Sequence, residues 1–324
     1  MRASVPHKGE TMTPGGQLDI AKLRILDGGM ATELERRGCN ITGPLWSAHV
    51  LADSPATIEA VHLSYLEAGA DCILTASYQV SAMGYAELGQ PPEAASAALR
   101  QSVDLATRAR NRYRQQSQRP VWIAASLGPY GAALHNGSEY HGNYDVDFAD
   151  LVQFHAERLA VIETTDADFV ALESVPSLEE AEAIVEGLHR HPSLHGWISF
   201  TCKDEQHVSH GEKLAHCAEF LEKQKQVIAI GINCTQPRLI LPLIGELKKS
   251  TRKPIVVYPN SGEGWDAEHR CWTGTSDAQG FGQLAREWSA AGAQIIGGCC
   301  RTGPEHIRVI SNALGTPGAP RSRS

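Results

Sequence analysis

Two cysteines stand side by side at Cys299-Cys300, directly after Ile295-Ile296-Gly297-Gly298 and directly before Arg301-Thr302-Gly303-Pro304-Glu305-His306. The apolar residues read as the last buried strand of a sheet. Thr302 with Glu305 three residues later has the pattern of a capping box, and Pro304 falls in the first turn of the helix that follows. The cysteine pair is thus expected where a strand gives way to a helix, and the glycines there let the backbone turn sharply. A third thiol has the same setting, because the run Val227–Cys234 (VIAIGINC) is a buried strand ending in Cys234. Three thiolates suit Zn²⁺ and leave its fourth tetrahedral position open, as catalytic rather than structural zinc sites do. The same residues also fit two other readings: small side chains at buried strand ends, or a redox couple formed by the adjacent cysteines.

A zinc ion with three thiolates carries a net charge of −1, and a substrate thiol bound in its open position loses its proton near neutrality. The resulting sulfur nucleophile suits alkyl transfer, an in-line displacement that needs alignment more than an acid or base. Accordingly no catalytic acid or base is expected, and His135, His141, His207 and His210 read as surface loop residues. A metal-bound water would be a poorer use of the site, since three thiolates weaken zinc as a Lewis acid. Asp27 and Glu173 end two other apolar runs, and an uncompensated acid buried there would be costly. A substrate ammonium would compensate them, while Gly28 and Gly29 could offer backbone N–H groups to a carboxylate. A zwitterionic amino acid carrying a thiol satisfies all three features. The alternatives are a helix N-cap for Asp27 and a structural ion pair for Glu173. Asn233 precedes Cys234 at the same mouth, and Trp46, Tyr78, Tyr130 and Tyr258 could line a pocket for a cationic methyl donor. Cys202 is close enough to a run end to sit near the site; Cys39, Cys72, Cys217 and Cys271 read as bystanders.

The elements that must position these groups are eight short runs rich in apolar or β-branched residues. They are Arg24–Gly29, Cys72–Tyr78, Val121–Gly128, Phe169–Val175, Gly196–Cys202, Val227–Cys234, Pro254–Asn260 and Gln294–Cys300. Amphipathic stretches such as Thr57–Ala68, Pro92–Tyr113, Phe148–Thr164, Ser177–His189 and Ala278–Ala291 separate them. Ser54-Pro55 and Ser177 look like helix starts, and Gly38, Gly69 and Gly292 like stops. Continuous apolar runs alternating with helices imply parallel strands buried on both faces. Eight such units predict an α/β fold of one closed (β/α)8 TIM-type barrel, whose catalytic groups come from the carboxyl ends of its strands. The sixth and eighth runs share a layer in such a barrel, which places Cys234 beside Cys299 and Cys300. The long connections at 45–55, 130–150 and 262–279 read as loops on the active-site face.

The chain has 324 residues, a net charge of −8 and 29 scattered Lys and Arg residues, a balance that asks for no nucleic acid. The basic clusters at 108–112 and 248–253 read as solvated faces near helix ends. No apolar run approaches the ~20 residues needed to span a bilayer, and residues 1–20 lack the apolar core of a secretory signal. Expected boundaries are a disordered tail over 1–20, one barrel over 21–314 and a second tail over 315–324, in a cytoplasmic protein that is a monomer or small homo-oligomer. Eight cysteines in such a chain read as core residues plus a metal set rather than disulfides.

Several of these stretches match a known family. The chain resembles the zinc-dependent homocysteine S-methyltransferases, most closely the bacterial and plant-type enzymes that use S-methylmethionine. The resemblance is carried by LDGGMATELERRG (26–38), PLWSAHVL (44–51), TASYQ (75–79), SLGPYGA (126–132), GSEYHGNY (137–144) and ALESVPSLEEAEA (171–183). It continues through SFTCKDEQHVSHG (199–211), GINC (231–234), VVYPNSGE (256–263) and IIGGCCRTGPEHI (295–307). It implies one zinc on Cys234, Cys299 and Cys300 and methyl transfer to the thiolate of L-homocysteine. It further implies that Asp27 and Glu173 hold the homocysteine amino group, with Gly28 near its carboxylate. Betaine-using relatives usually carry a C-terminal extension and cobalamin-dependent ones further domains, which favours S-methylmethionine as donor, with S-adenosylmethionine second.

Overall fold

The structure, a computed structural model, describes residues 20–41, 49–266, 271–273 and 277–315. Trp46 and, but for Ile20 and Gly315, the two expected tails lie outside the described residues. Seven of the eight runs form strands: β1 (Cys72–Leu74), β2 (Trp122–Leu127), β3 (Phe169–Val175), β4 (Gly196–Phe200), β5 (Val227–Asn233), β6 (Ile255–Tyr258) and, after the short hairpin β7 (Gly264–Asp266) and β8 (Cys271–Thr273), β9 (Ala293–Ile296). They make one seven-stranded sheet in the order β1-β2-β3-β4-β5-β6-β9, parallel throughout. The hairpin is antiparallel and lies in the connection expected to be a plain loop.

The first run departs from expectation. Arg24–Gly29 forms no strand of its own; Ile25 bridges to Ile296 and Leu26 to Cys72, both parallel. The segment therefore touches both edge strands of the sheet, β9 through Leu26 N to Ile296 O (3.0 Å) and β1 through Cys72 N to Ile25 O (3.2 Å). A side chain does the work of a ladder partner here, because Asp71 Oδ2 accepts from Arg24 N (3.1 Å) and Ile25 N (2.9 Å). β1 is likewise shorter than its run. Beyond Leu74 the hydroxyls take over, with Ser126 N donating to Thr75 Oγ1 (3.0 Å) and Ser77 Oγ to Ser126 O (2.8 Å).

Strand residues alternate between two buried layers, as the period of two requires. Trp122, Ala124, Phe169, Ala171, Trp197, Ala229, Val256, Tyr258 and Ile295 form one cluster, joined by Leu23 and Leu26 but by no α-helix residue among those described. Their sequence neighbours Ile123, Val170, Ile198, Ile230, Val257 and Ile296 pack instead with the helices. A sheet face covered only by its own strands is a curled sheet, and each fully buried side chain the size of Phe169 contributes about 1.5–3 kcal/mol.

The helices follow their signals. Pro55–Ala68 stops at Gly69, and Ala278–Ala291 at Gly292, where positive φ values of 114° and 124° suit glycine. Ser177 Oγ accepts from Glu180 N (3.1 Å) at the start of Leu178–His189. Thr302 does not cap Pro304–Leu314; Gly303 is the N-cap, and its N–H donates to His306 Nδ1 (3.2 Å).

At the amino ends of the strands, Arg119 pairs with Asp71 (2.9 Å) and Arg110 with Asp168 (2.7 Å), both largely buried. Arg110 thus leaves the solvated face expected of its cluster. Lys253 also turns inward, its Nζ donating to Leu221 O (2.7 Å) at the end of the helix Leu214–Glu222. No helix among the described residues is long and apolar enough to cross a membrane.

Candidate active site

A cleft opens where the strands end at their carboxyl side. Asp27, Gly28, Tyr78, Glu173, Asn233, Tyr258, Cys234, Cys299 and Cys300 all line it. The turn after β9 is fixed from two directions. Gly298 N donates to Asp27 O (3.0 Å) and Cys299 N to Pro259 O (2.8 Å). Thr302 explains its own absence from the cap: its Oγ1 donates to Cys299 O (2.7 Å) and accepts from Gly29 N (3.3 Å). Glycine is required here by contact, since a Cβ on Gly29 would lie 2.6 Å from Cys299 O and one on Gly297 would lie 2.6 Å from Leu26 Cβ.

The Sγ atoms of Cys234, Cys299 and Cys300 lie within 4.8 Å of one another. Cys234 and Cys299 are joined as a disulfide, with their Cα atoms 5.6 Å apart, so the bonded pair is not the adjacent one. Cys234 has φ of +47° and Arg301 +65°, backbone that a non-glycine residue adopts at a cost of order 1–3 kcal/mol. Burial pushes the Cys300 thiol up to about 11, so the protein alone does not ionise it. Three convergent sulfurs are the donor set of a soft divalent cation, and the half-buried Cys202 stands outside this group.

The two acids both line the cleft and are held differently. Asp27, 3 % exposed, accepts from Leu74 N through Oδ2 (2.8 Å). Burial, and then the charge of Glu173, raises its carboxyl well above the ordinary range. Glu173 accepts hydrogen bonds from Ser126 Oγ and the Tyr258 hydroxyl, yet burial still pushes it up to about 7. Two buried carboxyls that oppose one another's charge are a socket for one cation.

Asn233 and Tyr258 spend their polar atoms inside the protein. Asn233 Oδ1 accepts from Ser174 N (2.8 Å) and Ser199 Oγ (2.8 Å), while Tyr258 OH accepts from Trp197 Nε1 (3.1 Å). Tyr78 is half-buried and hydrogen-bonds the Ser174 side chain. Tyr130 does not line the cleft. Its ring packs on Tyr144 (5.4 Å) and Phe154 (5.1 Å), because Glu180 takes both the Tyr130 N–H (2.5 Å) and the Tyr144 hydroxyl (2.6 Å) and draws this connection outward. Gly29, paired with Gly28 in the expected carboxylate cradle, has its N–H engaged by Thr302 O (3.0 Å). His135 is also not a plain surface residue, since burial lowers its pKa and its Nε2 is buried without a partner among the described residues. His141 is exposed, and His207 and His210 pair with Asp204 and Glu212.

The family model for homocysteine S-methyltransferase matches residues 24–314. The chain belongs to the homocysteine S-methyltransferase family. It is 47% identical over 300 residues to homocysteine S-methyltransferase YbgG of Bacillus subtilis strain 168, covering 91% of this chain and 95% of that protein. Two crystal forms of the homocysteine methyltransferase MmuM of Escherichia coli superpose closely. The oxidized form gives a TM-score of 0.83 at 39% identity and the metallated form 0.82 at 40%, each covering 90% of this chain and 96% of that one.

Within this family frame, the cleft holds groups that the sequence reading gave no role. Ser126 and Ser174 stood at run ends and turn out to hold Glu173, Asn233 and Tyr78. Glu139 and Tyr140, from the short turn Ser138–Tyr140, also line the cleft. An acid inside a long polar connection reads as a solvated one. Only the fold-back of that connection, sealed by Thr201 Oγ1 on Glu139 O (3.4 Å), brings it inside.

Proposed function

We propose that this methyltransferase transfers a methyl group from S-methylmethionine to L-homocysteine on a zinc ion held by Cys234, Cys299 and Cys300, giving methionine. S-adenosylmethionine is the second donor. The observation that carries the reading is the convergence of three cysteine sulfurs, all available to a metal once the Cys234–Cys299 bond is reduced, beside two buried carboxyls that want a cation. Zinc supplies a Lewis-acidic position that lowers the pKa of a substrate thiol, so that the sulfur meets the donor as thiolate.

The remaining work falls to the chain. Asp27 and Glu173 take the homocysteine ammonium, which replaces their mutual repulsion by two charge-assisted hydrogen bonds. Gly28 lines the cleft beside them and has no side chain to keep the substrate carboxylate away. Ser126 and Tyr258 orient Glu173, and Asn233 with Ser174 fixes the turn that carries it. The homocysteine sulfur attacks the methyl carbon of the sulfonium; the breaking S–C bond returns its electron pair to the donor sulfur, which leaves as a neutral thioether. No protein acid or base is needed for that step. Tyr78 is the aromatic face placed to meet the sulfonium.

The fold we assign is the closed (β/α)8 barrel over 21–314, with Arg24–Asp27 as its eighth staff between β9 and β1. The Cys234–Cys299 bond must be reduced before the three sulfurs can bind zinc, so we take the compartment to be reducing and cytoplasmic. We take the enzyme as a monomer or small homo-oligomer. A betaine-using variant of the same site is the alternative reading. A purely redox role would leave Asp27 and Glu173 without a partner.

Purified, reduced protein should be mixed with L-homocysteine and, separately, S-methylmethionine, S-adenosylmethionine and betaine. The proposal expects methionine fastest from S-methylmethionine. Fastest turnover with betaine would overturn the donor, and no methionine from any of them would overturn the reaction.

A further inference from the structure

Among the carboxylates lining the cleft, Glu139 alone has a fully buried oxygen without a hydrogen-bond partner among the described residues. Its side chain is buried, the residue being 8 % exposed, and its Oε2 has no hydrogen-bond partner. The others are occupied: Asp27 by Leu74 N, Glu173 by Ser126 and Tyr258, and Glu35 by Arg301 at 3.3 Å. Arg301 is the cation of the lining, and it is already shared between Glu35 and Glu263. A buried acceptor left open in a binding cleft is costly unless a ligand completes it.

The location says which ligand. Glu139 lines the same cleft as Tyr78, Tyr140 and the three cysteines, so it stands on the wall that the thiol cluster shares. Its backbone is fixed there: Tyr140 N donates to Gly137 O (3.0 Å), and Thr201 Oγ1 to Glu139 O. Asp27 and Glu173 already form a socket for one ammonium. The reaction brings a second cation to the thiols, the methyl donor. A sulfonium offers charge but no hydrogen to bond, whereas an ammonium offers both, and an open carboxylate oxygen calls for a donor hydrogen.

We infer that Glu139 receives the α-ammonium of the methyl donor, and so selects a small zwitterion bearing both a sulfonium and an ammonium over sulfonium or quaternary-ammonium donors without N–H groups. The inference rests on the methyltransfer reading above. It makes Glu139 a specificity-determining residue of the donor half-site, distinct from the acceptor pair Asp27 and Glu173.

The test is calorimetric titration of zinc-loaded, reduced protein with S-methylmethionine and, separately, with (2-carboxyethyl)dimethylsulfonium, which keeps the sulfonium and carboxylate but lacks the ammonium. Glu139→Gln should weaken S-methylmethionine binding by roughly 10- to 100-fold, the loss of one charge-assisted hydrogen bond. The ammonium-free sulfonium should change by less than about threefold on the same grounds, and homocysteine affinity and zinc stoichiometry should be unchanged. Glu139→Asp, which retains the charge at shorter reach, should fall between the two and serves if the glutamine variant does not fold. Equal weakening of both sulfonium ligands, loss of homocysteine affinity instead, or S-methylmethionine binding that is absent or indifferent to the substitution would each overturn the inference. Turnover of the unmodified enzyme tests the methyltransfer reading separately, so the two can fail independently.

Discussion

Ser174 and Asn233 are joined by a reciprocal pair of hydrogen bonds, Ser174 N to Asn233 Oδ1 and Asn233 Nδ2 to Ser174 Oγ, both 2.8 Å. The pair ties the end of β3 to the end of β5. Each strand end carries a residue in left-handed backbone, Ser174 at φ +60° and Cys234 at φ +47°. One is adjacent to the acid Glu173, the other is one of the three convergent cysteines. A single fully buried amide thus holds the Glu173 carboxyl and the Cys234 sulfur in register.

Replacing Asn233 by Ala should therefore disturb function beyond its effect on stability. Loss of the buried amide leaves Ser174 N unsatisfied and should lower stability by about 1–3 kcal/mol. The catalytic signature is a fall in kcat/KM for homocysteine of roughly 10- to 100-fold, the size expected when a supporting residue of a site is lost. Urea unfolding combined with steady-state kinetics checks both. Reduced stability with unchanged kcat/KM would show that the amide merely fills the core.

Arg119→Ala tests the opposite end of the strands. Arg119 pairs with Asp71 (2.9 Å), and Asp71 in turn holds Arg24 and Ile25 at the edge of the sheet. Removing the guanidinium strands a buried carboxylate, which costs about 3–5 kcal/mol. The midpoint of urea unfolding should fall accordingly, while zinc per folded chain stays the same. A loss below about 1 kcal/mol, the value for a solvent-exposed pair, would contradict the buried assignment.

His62 predicts an acid limb in the stability curve. It is fully buried, neither ring nitrogen has a partner among the described residues, and burial lowers its pKa to about 3. The unfolded chain, with an ordinary value near 6.5, binds the proton first. The neutral side chain therefore carries no penalty above about pH 6.5, and stability is lost as pH falls from there toward about 3. At pH 5 the loss should be roughly 2 kcal/mol relative to pH 8. His62→Leu should lack that component in paired unfolding curves, and the difference between the two proteins isolates it from carboxyls that titrate in the opposite direction. Identical acid limbs would show that the ring is not buried unpaired.

Much of this arrangement was legible in residue order. The parallel strands announced themselves as apolar runs, because each is buried on both faces. The thiols could be placed together because β5 and β9 end on the same side of one sheet. What escaped depends on contacts between distant segments. Arg24–Gly29 has the composition of a strand but is held by the Asp71 carboxylate, which local patterning does not show. Thr302 with Glu305 copies a capping box, yet the hydroxyl goes to Cys299 and Gly29. Tyr130 and Glu139 sit in one connection, yet it is the acid, to which residue order gave no role, that reaches the cleft. Glu180, buried against His155 (3.0 Å), pulls the tyrosine away from the cleft, and the turn at Ser138–Tyr140 carries the acid into it.

The central claim is that three sulfurs hold the metal on which the methyl transfer depends. The most direct measurement is zinc content and methionine formation in parallel, on reduced protein carrying Cys234→Ala, Cys299→Ala or Cys300→Ala. The account predicts one zinc per chain in the unmodified enzyme, loss of zinc and of turnover in each variant, and a circular dichroism spectrum that stays that of the folded sheet and helices. Full zinc content in any one of the three variants would contradict it.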